Sequence, residues 1–322
     1  MRPVTLVVVG DPKAPQMRLL KQLPAQVEVI VSDDADELRT AVPKADILVN
    51  GGFHGTLFRQ VFPYAAKAQW VHSLSTGVEN MLSPELVASP IPLTNGRGVF
   101  NSVLAEFVMA AVLYFAKDFR RMIRSQSEGK WSPFDVLAAR GTTLAIIGYG
   151  NLGKEAAKLA HTFGMKVVAL RRRASESVHD PHLAGLYARD RLHEMLAVCD
   201  YLVIAAPDTP ETKGMIGEPE LNVMKREAVV INIGRGPIIV ESALVRALET
   251  NRIKGAALDV FDQEPLPAGH PFYRLENVLL SPHCADHLPG WVDMAMDRFL
   301  ENFRRFSNDE PLENLVDKKA GY

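Results

Sequence analysis

Cysteine is nearly missing from this chain: among 322 residues there are only Cys199 and Cys284. Two cysteines cannot build a disulfide framework, and their scarcity points to a reducing compartment. Neither sign of charge dominates. The formal net charge is −2, which gives no bulk attraction for nucleic acid or a membrane surface. Long hydrophobic runs are missing too. The longest, Phe107 to Ala116, stops at Lys117, well short of the about 20 residues a spanning helix needs. The apolar stretch Val4 to Val9 closes at Gly10-Asp11-Pro12 without a cleavage pattern, so it reads as a buried first strand rather than a signal peptide. The expected location is cytoplasmic. Repeats, low-complexity tracts and long charge runs are also absent.

What remains is an ordinary globular composition, 47% hydrophobic and 23% charged, long enough for about two domains. Short apolar runs alternate with longer amphipathic stretches, the pattern of strand-helix-strand units around parallel sheets. A first series comprises Val4 to Val9, Val27 to Val31, Ile47 to Val49 and Trp70 to Leu74, with a short strand near Ile91 to Gly98 running into a linker. Asn101-Ser102 is expected to cap a helix from about Val103 to Arg120, apolar almost all round and therefore buried. A second series predicts six strands: Thr143 to Ile147, Lys166 to Leu170, Tyr201 to Ala205, Ala228 to Ile233, Gly255 to Val260 and Val278 to Leu280. A last helix is expected over about Pro289 to Phe306. The fold class is α/β, with two doubly wound, Rossmann-like parallel sheets.

Gly148-Tyr149-Gly150-Asn151-Leu152-Gly153 follows an apolar strand and opens an Ala-rich helix. Gly148 permits the tight turn, Gly150 the approach of a pyrophosphate, and Gly153 close helix-strand packing, while the helix N-terminus offers free N–H groups. The next strand should end beside the adenosine ribose, where an NAD site places an acid. Here stand Arg171, Arg172 and Arg173, and no acid occurs until Glu176. Guanidinium groups suit a 2′-phosphate, so the expected cofactor is NADPH, with NAD possible.

Three further segments follow strands: Asn232-Ile233-Gly234-Arg235-Gly236, Asp259-Val260-Phe261-Asp262-Gln263-Glu264-Pro265 and Ser281-Pro282-His283. Ligand sites in such sheets lie beyond the carboxyl ends of strands, so Arg235, Glu264 and His283 can converge there. With these segments, with Ser73-Leu74-Ser75-Thr76-Gly77-Val78-Glu79-Asn80, with the Asn101-Ser102 helix and with Pro207-Asp208-Thr209-Pro210-Glu211-Thr212, the chain resembles the D-isomer-specific 2-hydroxyacid dehydrogenases. The glyoxylate/hydroxypyruvate reductase branch is the nearest in pattern, and the resemblance spans nearly the whole chain.

The resemblance implies a catalytic set of Arg235 on the substrate carboxylate and keto oxygen, His283 as acid/base and Glu264 as its partner. It implies that Pro207, Thr212, Ile233, Gly234, Arg235, Asp259 and His283 join the glycine motif and the arginines around the cofactor. Substrate is expected at Gly51, Gly52, Ser75, Thr76 and Gly77 together with Arg235 and His283. Residues 1–98 with 288–322 would form a substrate-binding lid and residues 99–287 the dinucleotide-binding domain, with the active site in the cleft between them. A homodimer through the arm from Arg120 to Arg140 is also implied. The chain departs from the family at Arg171 and at Cys284-Ala285-Asp286-His287. Histidines at 283 and 287 have metal-ligand spacing, but no second ligand pair accompanies them, so no metal is expected. The rival functions are a non-catalytic dinucleotide-sensing regulator of corepressor type and a short-form phosphoglycerate dehydrogenase. The roles of Phe53, His54 and Trp291 stay open.

Overall fold

A computed structural model describes residues 3–52, 55–172 and 180–322. The chain divides into two compact units, Met1–Val99 with His287–Tyr322, and Phe100–Asp286. Unit 1 runs through β1 (Val4–Val9), β2 (Val27–Ser32), α1 (Ala35–Ala41), β3 (Ile47–Asn50), α2 (Thr56–Val61), β4 (Trp70–Ser73), α3 (Pro84–Ala88) and β5 (Leu93–Asn95). Its sheet is parallel, in the order β2-β1-β3-β4-β5. The inner strands β1 and β3 are covered on both faces, which is why they read as nearly unbroken apolar runs rather than alternating ones. Asp34 caps α1 by accepting from the Asp36 and Glu37 amides, each at 2.9 Å.

Unit 2 contains α4 (Asn101–Lys117), α5 (Phe119–Ser127), β6 (Thr143–Ile147), α6 (Asn151–Thr162), β7 (Lys166–Leu170) and β8 (Gly185–Tyr187). It continues with α7 (Leu192–Val198), β9 (Tyr201–Ile204), α8 (Glu218–Val223), β10 (Val229–Asn232), α9 (Glu241–Glu249), β11 (Gly255–Leu258) and β12 (Val278–Leu280). The chain then returns to unit 1 as α10 (Trp291–Ser307), which buries Phe299 and Phe303 and stacks Phe299 on Trp70 at 5.4 Å between ring centres.

The second sheet is also parallel but has seven strands, in the order β12-β11-β10-β9-β6-β7-β8. The strand missed by sequence reading is β8, a three-residue edge strand that opens on a glycine. The long helix expected to reach Arg120 instead ends at Lys117. Asp118 there adopts a left-handed φ of 50°, and its carboxylate accepts from the Arg121 amide to start α5. The apolar surface of α4 packs with Ala156, Ala157 and Ala160 of α6, whose small side chains let the helices approach closely. The order in which strands are added reverses at β6, with β7 on one side and β9 on the other, so the loops leaving β6 and β9 open the crevice where such sheets bind ligands.

Candidate active site

The turn after β6 is shaped by its three glycines. Gly148 has φ 94°, and a Cβ there would come within 2.6 Å of the Ala206 nitrogen, so no other residue fits. A Cβ on Gly153 would overlap the Gly148 carbonyl oxygen. Gly150 is different: a Cβ there would meet nothing within 4 Å. Glycine at that position keeps open space in front of the N-terminus of α6, where Gly150 provides no side-chain cap for the first amides. A dinucleotide pyrophosphate fits this cradle.

Asn151 is exposed and Leu152 half-buried at the start of α6. Tyr149, by contrast, is buried, and its hydroxyl donates to Asp180 Oδ2 at 2.9 Å. Burial and this hydrogen bond both push the phenol's pKa upward. Its side chain therefore braces the turn from below. At the end of β7, the Arg171 amide donates to Tyr187 O on β8 at 3.3 Å, and Arg172 lies 3.7 Å from Glu211. Arg173, Phe53 and His54 lie outside the described residues. In the loop after β9, the Thr212 hydroxyl donates to the Pro207 carbonyl at 2.7 Å and shapes that wall.

Three loops at the ends of β10, β11 and β12 carry the expected chemistry. Arg235 follows β10, and its Nη1 donates to Gly234 O at 2.7 Å. Sequence reading did not assign a role to Asn232. Its buried amide clamps this turn, with Oδ1 accepting from the Gly234 amide at 3.1 Å and Nδ2 donating to Arg235 O at 3.0 Å. The only sequence signal was its place at a strand end before Gly-Arg-Gly.

Glu264 and His283 meet directly, with Nδ1 2.7 Å from Oε2. Facing a carboxylate, Nδ1 carries the hydrogen and donates it. The other Glu264 oxygen accepts from the Phe261 amide at 2.9 Å, which fixes the carboxylate's orientation. The hydrogen bond to Glu264 raises the imidazole pKa, helped by the negative charges of Glu264 and Asp259 and opposed by burial and by Arg235. Burial alone would lift the Glu264 carboxyl, but its bonds to His283 and Phe261 and the nearby positive charges outweigh that and hold it below the ordinary value.

His283 has a left-handed φ of 52°, an uncommon conformation for a residue with a side chain. Buried Asp259 sustains it: one carboxylate oxygen accepts from the Ser281 hydroxyl at 2.5 Å and from the Cys284 and Ala285 amides at 3.0 and 3.1 Å. Ile233 and Gly234 are buried in the same unit beside this edge. The remaining expected residues belong to unit 1. Gly51 and Gly52 follow β3, and Ser75, Thr76 and Gly77 follow β4, where Asn95 Nδ2 donates to Thr76 O at 2.6 Å. His287 and Trp291, also in unit 1, stack at 4.4 Å between ring centres. Among the described residues no three His, Cys, Asp or Glu side chains cluster as metal ligands do.

Chemically, unit 2 presents an imidazole held toward its protonated form, a guanidinium and a phosphate cradle along one sheet edge. Residues 109–285 match the family model described as D-isomer specific 2-hydroxyacid dehydrogenase, NAD binding domain. The chain is 34% identical over 270 residues to a glyoxylate reductase of Korarchaeum cryptofilum, covering 81% of this chain and 80% of that one. It is 32% identical over 282 residues to glyoxylate/hydroxypyruvate reductase B of Serratia proteamaculans, covering 84% and 85%. Among solved structures, it resembles an NADPH-dependent glyoxylate/hydroxypyruvate reductase from Sinorhizobium meliloti, crystallised with NADP and sulfate. That match has 27% identity, a TM-score of 0.86 and full coverage of both chains.

Proposed function

Because the chain belongs to the D-isomer specific 2-hydroxyacid dehydrogenase family, we propose that it reduces a small 2-keto acid of glyoxylate or hydroxypyruvate type to the D-2-hydroxy acid, with NADPH preferred over NADH. The observation that carries this reading is the 2.7 Å His283–Glu264 pair on the same sheet edge as Arg235 and the glycine turn. Relatives named as glyoxylate and glyoxylate/hydroxypyruvate reductases support the substrate class.

Reduction of a keto acid needs a proton on the carbonyl oxygen as negative charge develops there. His283 holds that proton on Nε2, because Nδ1 is committed to Glu264 and the carboxylate favours the imidazolium. Arg235 supplies fixed positive charge to the substrate carboxylate and the developing alkoxide. Gly148, Gly150, Gly153 and the first amides of α6 would hold the dinucleotide, which supplies the hydride when bound. Pro207, Thr212, Ile233, Gly234 and Asp259 would line it. Arg171 and Arg172 would face its 2′-phosphate, and the NADP complex of the Sinorhizobium meliloti neighbour supports that preference. In unit 1, Gly51, Gly52 and Ser75 to Gly77 would present backbone amides to the substrate carboxylate.

A homodimer joined through α5 and the following arm is part of the same reading. Trp131 is 96% exposed there, and Phe119, Met122, Ile123, Val136 and Leu137 are exposed with it, more apolar surface than a solvated arm would be expected to show.

Initial rates of NADPH and NADH oxidation with glyoxylate, hydroxypyruvate, pyruvate and phenylpyruvate test the proposal. Turnover fastest with one of the first two acids, and with NADPH, is expected. Dinucleotide binding without turnover of any 2-keto acid would overturn it in favour of a sensor.

A further inference from the structure

We propose that Asn232 is the positioning residue for Arg235, setting the place of the guanidinium through the backbone of its turn. The proposal rests on the reading of Arg235 as the group that binds the keto acid. Asn232 is the last residue of β10 and is 1% exposed. Its side chain has one acceptor and one donor function, and the turn uses both. Oδ1 takes the Gly234 amide at 3.1 Å and Nδ2 gives to the Arg235 carbonyl at 3.0 Å. Its own carbonyl accepts from the Asp259 amide at 3.0 Å, which ties the turn to the end of β11.

The guanidinium is coupled to this clamp rather than merely near it. Arg235 Nη1 donates to the carbonyl of Gly234, a residue whose amide Asn232 holds. Rotation of the Gly234–Arg235 peptide would therefore carry the guanidinium with it. The flanking glycines leave the turn nowhere else to go. A Cβ on Gly234 would lie 2.7 Å from Ala206 O, and one on Gly236 would overlap the backbone of Phe261 and Asp262. Those contacts fix where the strand of chain lies, and Asn232 fixes how the peptide between them is turned. No ionised acid can replace it: a carboxylate accepts from Gly234 but cannot donate to the Arg235 carbonyl. A protonated carboxylic acid can do both.

The experiment compares the parent, Asn232→Ala, Arg235→Ala and the double variant, with glyoxylate as substrate and NADPH binding followed by fluorescence titration. Asn232→Ala is expected to lower kcat/KM for glyoxylate about 10- to 100-fold, the scale of a displaced positioning contact. NADPH affinity should fall by a clearly smaller factor than kcat/KM for glyoxylate, since the phosphate cradle is elsewhere and Asn232 reaches the dinucleotide wall only through Gly234 and Asp259. In the Arg235→Ala background the same change should cost less than about twofold more, because the group it positions is gone. Asn232→Asp supplies a second readout. Burial raises the pKa of the introduced carboxyl, so its kcat/KM relative to the parent at the same pH should climb as pH falls. Full persistence of the Asn232→Ala loss in the Arg235→Ala background, a loss of NADPH affinity as large as the loss of kcat/KM, or a flat Asn232→Asp ratio would each overturn the positioning role. If Arg235→Ala itself left glyoxylate kinetics unchanged, the reading of Arg235 would fall and this proposal with it.

Discussion

Both units present the carboxyl edge of a parallel sheet, and they finish it with different residues. In unit 1, β3, β4 and β5 end on Asn50, Ser73 and Asn95, all buried and uncharged. In unit 2 the corresponding edge runs into the glycine turn, Arg171–Arg172, Arg235, Asp259 and His283. The strands of unit 2 end on uncharged residues as well, so the arginines and the histidine that mark its edge come from the loops beyond the strands.

Two histidines make the same point. His72 lies within β4, fully buried among Trp70, Phe299 and Thr94, and burial, with the charge of Arg298, lowers its pKa to about 3. His283 stands beyond β12, partly open to solvent, and Glu264 raises its pKa. One imidazole is held neutral by burial in its sheet and the other is favoured in its protonated form by its partner.

The sharpest way to break this contrast is to remove the charged groups from the unit 2 edge. His283→Ala should lower kcat about 10²- to 10⁴-fold with NADPH binding nearly unchanged, because it removes the proton donor. Arg235→Ala should raise KM for the keto acid and lower kcat together, losing carboxylate binding and alkoxide stabilisation at once. Steady-state kinetics with fluorescence titration of NADPH reads both.

A smaller effect is expected at the end of β7. Two charge-assisted contacts to phosphate, at about 1.5–3 kcal/mol each, suffice for at least tenfold discrimination. Replacing Arg171 and Arg172 together by Ala should raise KM for NADPH by about that factor and leave NADH kinetics near the parent's. Equal losses with both dinucleotides would show the arginines to be general supports.

His72 is expected to affect stability and not turnover. Its folded pKa lies below its unfolded value, so between about 6.5 and 3 the unfolded chain binds the extra proton. Stability is then complete above about pH 6.5 and falls by about 1.4 kcal/mol per pH unit below it. Urea midpoints between pH 7 and 4.5 should decline less steeply in His72→Leu than in the parent. Parallel declines would mean that other groups carry the acid sensitivity.

Much of this was legible in the sequence, for physical reasons that can be named. Strands buried on both faces need continuous apolar runs, so β1, β6, β9 and β10 stood out. Gly148 and Gly153 stood out because a positive φ and a helix pressed on a strand exclude a side chain there, and Gly150 completes the spacing of the motif. The edge strand β8 did not, since three residues with a glycine carry no period. Nor did the break at Asp118, where a side-chain cap and a left-handed residue interrupt an otherwise helical pattern. The supports of the site were hidden for another reason. Asn232, Asp259 and the Tyr149–Asp180 bond act by joining backbone groups or residues brought together by folding, and neither composition nor spacing records which partner a buried polar atom finds.

If His283 donates the proton and Glu264 keeps it protonated, loss of the Glu264 charge must change the pH profile. Glu264→Gln retains shape and loses charge, so the pH dependence of kcat/KM in the reducing direction tests it most directly. The protonated imidazole is the active form, and the loss of the carboxylate lowers its pKa. The alkaline limb of the profile should therefore move to lower pH in Glu264→Gln than in the parent. A limb that stays in place or moves to higher pH would contradict the claim.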